Sequence, residues 1–194
     1  MPSLSVTYVL NLTCYLCPEP APLVVGEKLY FYVSGRAGKS FPGCAFCDAG
    51  ASTGLAILRR DGFASMDAGD TEATLTTRPV QFRGQHLFVN ADTKAGELRV
   101  EVLDRDGQTL KPFTRENCVP LRADKTLQAV KWKGASDLSK LAGKPVKFRF
   151  HLRNGSLYAF WTSPDASGAS HGYVAAGGPG FTGPTDTVGS AAQP

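Results

Sequence analysis

The chain has 194 residues, 42% of them apolar, and a formal charge of +4 at pH 7. That length and apolar share allow one well-buried core, so one domain with tails is the expectation. Lys and Arg stand singly among acids, as in Arg99, Glu101, Asp104, Arg105 and Asp106. This describes a solvated mixed surface and argues against a nucleic-acid partner, whose footprint gathers basic residues on one face.

No apolar run approaches the ~20 residues a helix needs to cross a bilayer, so no membrane partner is expected. Met1 to Leu10 lacks the basic start, apolar centre and small-residue cleavage site of a secretory signal, and cellular location stays unassigned.

In chain order, residues 1–22 form a leader with a short apolar alternation around Val6 to Leu12, then Cys14-Tyr-Leu-Cys17 and a Pro18, Pro20, Pro22 series that does not fit a central strand. From Leu23 the period is two. Strands are expected at Leu29 to Val33, Leu55 to Leu58, Ala73 to Thr77, Val80 to Phe82, His86 to Asn90, Glu97 to Leu103, Leu127 to Trp132, Val146 to Leu152 and Leu157 to Trp161, by their β-branched and aromatic content. Gly54 to Met66 reads as strand, Asp61-Gly62 turn and strand.

Alternation is clearest in Leu98-Arg-Val-Glu-Val-Leu103 and Val146-Lys-Phe-Arg-Phe-His-Leu152. Each such strand has one wet and one buried face, which points to an all-β fold, an antiparallel β-sandwich of jelly-roll type. Asp106-Gly107 and Asn154-Gly155 are hairpin dipeptides, the second the stronger. Only Ala135 to Leu141 looks helical, one or two turns long, with Ser136 as cap and Gly143 as stop. Residues 164–194 are rich in Gly, Ala, Ser, Thr and Pro, and a disordered or loosely draped tail is expected, since little apolar surface repays its ordering.

Gly54 to Met66, with Leu29-Tyr-Phe-Tyr-Val33 before it and His151-Leu-Arg-Asn-Gly-Ser-Leu-Tyr-Ala-Phe-Trp161 after it, resembles the C-terminal part of large bacterial glycosidases related to the invertase and levanase group. In that family a five-bladed propeller carries the chemistry and a β-sandwich follows. The resemblance implies a remnant of the last blade over residues 23–60 and the sandwich over 61–163. The family's Asn-Asp-Pro-type nucleophile motif, Arg-Asp-Pro motif and Glu-Cys acid/base motif are all missing from this sequence. Arg60-Asp61 is followed by Gly62, so no catalytic residue carries over.

Cys14-x-x-Cys17 and Cys44-x-x-Cys47 form two knuckle-like pairs, and four thiolates at that spacing can close a tetrahedral shell around Zn²⁺. A disulfide and free thiols are the competing readings. A four-Cys zinc has no open position for water, so it would be structural. Cys118 is then left over and expected to act as a small buried apolar residue.

Glycoside hydrolysis needs two carboxylates about 5 Å apart for retention or ~6–10 Å for inversion. Asp61, Asp67, Asp70 and Glu72 are close in sequence, but Asp61-Gly62 and Asp67-Ala-Gly69 are turn chemistry. His86, His151 and His171 form no HxH or HExxH pair. Aromatic faces stack on sugar rings, which makes Trp132, Tyr158 and Trp161 the candidate carbohydrate contacts, with Tyr30 and Tyr32 behind them. Such residues in half-buried strands are more often core.

Three functions follow as expectations. The first is a noncatalytic β-sandwich module derived from a glycoside hydrolase, structural or weakly carbohydrate-binding. The second is a small zinc-dependent hydrolase using some of the four paired cysteines. The third is an assembly unit, a homodimer through strand edges that a missing propeller would leave open, at Leu29 to Val33 or in the leader.

Overall fold

The computed structural model describes residues 5–8, 22–35, 52–174 and 176–192. Within them the alternating segments become β1 (Ser5–Tyr8), β2 (Leu23–Val25), β3 (Lys28–Gly35), β4 (Ser52–Arg59), β5 (Ala64–Ala68), β6 (Ala73–Thr76), β7 (His86–Asp92), β8 (Glu97–Leu103), β9 (Asp124–Ala129), β10 (Lys147–Arg153) and β11 (Gly155–Ser163). These strands form three antiparallel sheets, ordered β1-β5-β11-β7-β9, β6-β10-β8 and β2-β3-β4. The fold is an all-β sandwich.

Alternation builds the core. Side chains two apart share a face, so β10 turns Phe148, Phe150 and Leu152 inward while Arg149 and His151 face out. From β8 come Leu98, Val100 and Val102, and across the interior lie Leu87, Val89 and Ala91 of β7 with Leu157 of β11. Full burial of a Leu, Val or Phe side chain stabilises by ~1.5–3 kcal/mol, and this contiguous cluster is the main source of stability.

Strict alternation would put Leu157 and Phe160 on opposite faces of β11. A register shift between Leu157 and Ala159 brings both inward, where the Phe160 ring lies 4.9 Å from that of Phe150. Such a bulge inserts one residue against the partner strand and re-aims everything after it. It leaves Trp161 on the outer face, stacked on Phe88 at 5.9 Å.

Two turn expectations are corrected. Asn154 takes φ +45°, as its turn chemistry implies, yet β10 and β11 do not form a hairpin. They belong to different sheets, and Asn154-Gly155 is a corner that carries the chain across the sandwich. Asp61, at φ +51°, likewise joins β4 of one sheet to β5 of another. Positive φ reverses the chain locally but does not choose its pairing partner. Asp106-Gly107 does make a tight reversal, with Asp104 N donating to Gln108 O at 2.9 Å and Thr109 bridging back to Leu103.

Smaller differences concern element ends. Val80 makes one isolated bridge to Val146 instead of a strand, and β9 runs earlier than expected, leaving Trp132 beyond it. The helical stretch reduces to a 3-10 turn at Ser139–Leu141. Asp137, not Ser136, accepts from the Ser139 amide at 2.9 Å, and Gly143 ends the turn at φ +75°.

The outer face of the five-stranded sheet is covered. Arg59, at the end of β4, donates to Asn90 Oδ1 at 2.7 Å and Ala91 O at 3.2 Å and pairs with Asp124. Asn90 in turn donates to Arg60 O at 2.7 Å. These bonds fix the small sheet to β7 and β9. Residues 164–174 and 176–192 are draped beside it. Trp161 Nε1 donates to Gly168 O at 2.9 Å, Val24 N donates to Gly177 O at 2.7 Å, His171 N donates to Asp186 O at 2.9 Å, and Asp186 N donates to Gly172 O at 3.0 Å. This strap is held by backbone polar groups, so its low apolar content gives little hint of it.

Candidate functional site

Where the small sheet, the five-stranded sheet and the strap meet, a cleft of about 340 Å³, counting its open mouth, is lined by Arg60, Asp61, Thr126, Trp161, Ser170 and Asp186. The Asp61-Gly62 corner delivers Arg60 and Asp61, β9 delivers Thr126, the bulged end of β11 delivers Trp161, and the strap delivers Ser170 and Asp186. Trp161 is half-buried. One ring face rests on Phe88, and its indole N–H is tied down at Gly168, so the ring orientation is fixed.

Asp186 is buried and its carboxylate accepts from the amides of Ser170, Val188 and Gly189 at 3.1–3.3 Å. Burial alone would raise its pKa. Those amide bonds and the charge of Arg60 more than offset this and hold it below the ordinary carboxylate range. Asp61 goes the other way. Crowding by the surrounding protein raises its pKa, Arg60 opposes the rise and Asp186 adds to it. Because the Asp61 side chain is 65% exposed, solvent screening keeps that effect small.

Arg60 is only 8% exposed. Its Nε lies 3.6 Å from Asp61 Oδ2, its guanidinium carbon lies 5.4 Å from the centre of the Phe181 ring, and its buried NH1 nitrogen has no hydrogen-bond partner among the described residues. The arrangement offers a fixed aromatic face, a hydrogen-bond donor and an acceptor around one small volume.

The other sequence-predicted aromatics are placed differently. Trp132 is 7% exposed, donates to Val100 O at 2.8 Å and packs edge-on against Phe113. It is a core residue and presents no platform. The ring of Tyr158 is half-buried and covered by the Arg59 guanidinium at 4.6 Å. Tyr30 and Tyr32 lie on the outward face of the small sheet, with Tyr32 exposed. Only Trp161 of the three candidates reaches the cleft.

Cys14, Cys17, Cys44 and Cys47 lie outside the described residues. Cys118 is buried, its thiol pushed up in pKa by that burial, with its sulfur accepting from Val100 N at 3.2 Å. Among the described residues no group of three or more His, Cys, Asp or Glu could hold a metal ion.

A second polar cluster lies on the outer face of the three-stranded sheet. His151 Nε2 is 3.1 Å from Glu101 Oε1 and its Nδ1 is 3.4 Å from Glu72 Oε1. Arg149 and Thr109 also bond Glu101, and Arg115 bonds Glu72. The four acids that are close in sequence therefore do not converge, for Asp61 is beside Arg60 while Glu72 serves this network. The network joins β8 and β10 to the loops that hold Glu72, Thr109 and Arg115, and two of its buried nitrogens, His151 Nδ1 and Arg115 Nε, have no hydrogen-bond partner among the described residues.

The chain matches no family model, no curated protein and no solved structure. Sequence reasoning picked out Trp161 and weighed Asp61 but missed Asp186. The available signal was the spacing from Asp186 to Val188 and Gly189, the Asx-turn pattern in which a carboxylate caps amides two and three residues on.

Proposed function

We propose that this chain is a noncatalytic β-sandwich module of glycoside-hydrolase type that makes weak contact with a sugar ring at the Trp161 cleft. The observation that carries the reading is the half-buried indole fixed at the wall of a cleft that also holds Arg60 and Asp61. A flat apolar face beside a few polar groups is what small-molecule sites offer. The resemblance to the invertase and levanase group supports the glycosidase origin as an analogy of fold. In that reading the small sheet β2-β3-β4 corresponds to the last blade.

Affinity electrophoresis in gels containing neutral polysaccharides tests this. The parent chain is retarded by at least one of them and Trp161→Ala is not. Equal mobility of the two proteins in every gel would remove the reading. No glycoside is turned over by either.

A second reading, self-association, is favoured by one observation. β4 pairs with β3 from Lys28 to Gly35, whereas β2 pairs with it only from Lys28 to Tyr30, so the edge at Leu29 to Val33 is covered in part by the described strands. The outward face of the same sheet is apolar, because Leu23, Tyr32, Leu55 and Ile57 are all exposed on it. Register pairs Tyr32 with Leu55 and Tyr30 with Ile57, which makes the patch continuous. Apolar surface gathered in this way commonly marks a contact.

A further inference from the structure

Resting on the proposed sugar contact, we infer that the cleft takes a single neutral sugar ring through two neighbouring hydroxyls, one donating to the Asp61 carboxylate and the other accepting from Arg60 NH1. The ring's apolar face lies on Trp161.

Three observations on the cleft lead there. Arg60 is more than nine-tenths buried and among the described residues keeps one nitrogen without a partner, an arrangement that costs stability in the free protein and is relieved by an incoming acceptor. Asp61 lies 3.6 Å from Arg60 Nε, too far for a good hydrogen bond, so its oxygens keep accepting capacity at the mouth. Asp186 has its oxygens bound by backbone amides and contributes charge rather than contacts.

The charges decide the ligand class. One guanidinium and two carboxylates leave the cleft with one net negative charge at neutral pH. Carboxylated, sulfated or phosphorylated sugars are repelled, while a neutral diol meets both a donor and an acceptor. Size bounds the ligand, since about 340 Å³ counting the open mouth leaves no room for a second ring. Phe181 of the strap lies over the guanidinium and NH1 itself is buried, so the inferred contact requires that ring to move aside.

Calorimetric titration of the full chain with methyl glycosides of glucose, mannose and galactose, and with methyl glucuronide, tests the inference. The variants are Asp61→Asn and Arg60→Lys. Asn tolerates the positive φ of position 61, and Lys keeps the charge of position 60 while losing the planar fork; far-UV circular dichroism confirms that both fold. At least one neutral glycoside binds, the glucuronide binds about tenfold more weakly or not at all, and each variant weakens the neutral ligand by about tenfold.

A glucuronide that binds as well as the neutral sugars overturns the inference. So do neutral glycosides that bind all three proteins alike while still perturbing Trp161 fluorescence, a result that leaves the Trp161 contact standing. If no glycoside perturbs Trp161 at all, the sugar contact itself falls and the inference with it.

Discussion

Asn90 shows how one side chain can join two sheets. It is fully buried, and its amide is used on both sides: the oxygen accepts from Arg59 and the nitrogen donates to the Arg60 carbonyl. Asn90→Ala leaves a part-buried guanidinium N–H and a buried carbonyl without their partner, the carbonyl alone costing about 1–3 kcal/mol. Urea unfolding should show a lower midpoint with an unchanged slope. Asp186 makes a pH-dependent contribution. Its pKa is lower in the folded chain than the ordinary 3.8, so its stabilisation is complete above the unfolded value and fades as pH falls below it toward the folded one. From about pH 5 down to about pH 3 the parent chain therefore loses more stability than Asp186→Asn, as thermal melts at each pH would show. Identical acid slopes would contradict the assignment.

The strands were legible because each alternating segment needs one wet and one dry face, and Phe148, Phe150 and Leu152 lie inward as their spacing implies. Which sheet each strand joins was not legible, because Asn154 and Asp61 announce positive φ and nothing about partners. The bulge at Leu157/Ala159 was hidden as well, and it settles that Phe160 faces the core while Trp161 faces the cleft. At the site, an aromatic at a strand end was visible as a candidate, whereas Asp186 was masked by the composition of its neighbours. The strap depends on close backbone approach, which is testable at Gly168. That residue has φ +80°, and an added Cβ would lie 2.8 Å from Leu127 Cδ2 and 2.9 Å from Phe88 Cε1. Gly168→Ala should cost at least about 1 kcal/mol from the left-handed backbone alone and speed amide exchange across 168–174. Unchanged exchange there would show that the strap is not pinned at this point.

Across the whole molecule, the five-stranded sheet is covered on both faces. The three-stranded sheet β6-β10-β8 closes the core on one side, and the small sheet with the strap covers the other. The cleft exists only because the small sheet, the five-stranded sheet and the strap meet, which explains why its residues are scattered from Arg60 to Asp186 in the sequence. The small sheet keeps an apolar outward face, and sedimentation velocity at two concentrations tests its role. Self-association that weakens in Tyr32→Ser/Ile57→Ser is the expected outcome, and a monomer at both concentrations for the parent chain would remove that face as an interface.

The central claim is that Trp161 meets a sugar while the chain cuts none. The chain has two tryptophans, and both indole N–H groups are hydrogen-bonded, one in the cleft to Gly168 and one in the core to Val100. Their two NMR signals, followed while a neutral methyl glycoside is titrated, provide the site and its internal control together. The account predicts a saturable shift of the Trp161 signal, a stationary Trp132 signal and an intact glycoside at the end. Two stationary signals, or free sugar accumulating in the tube, would contradict it.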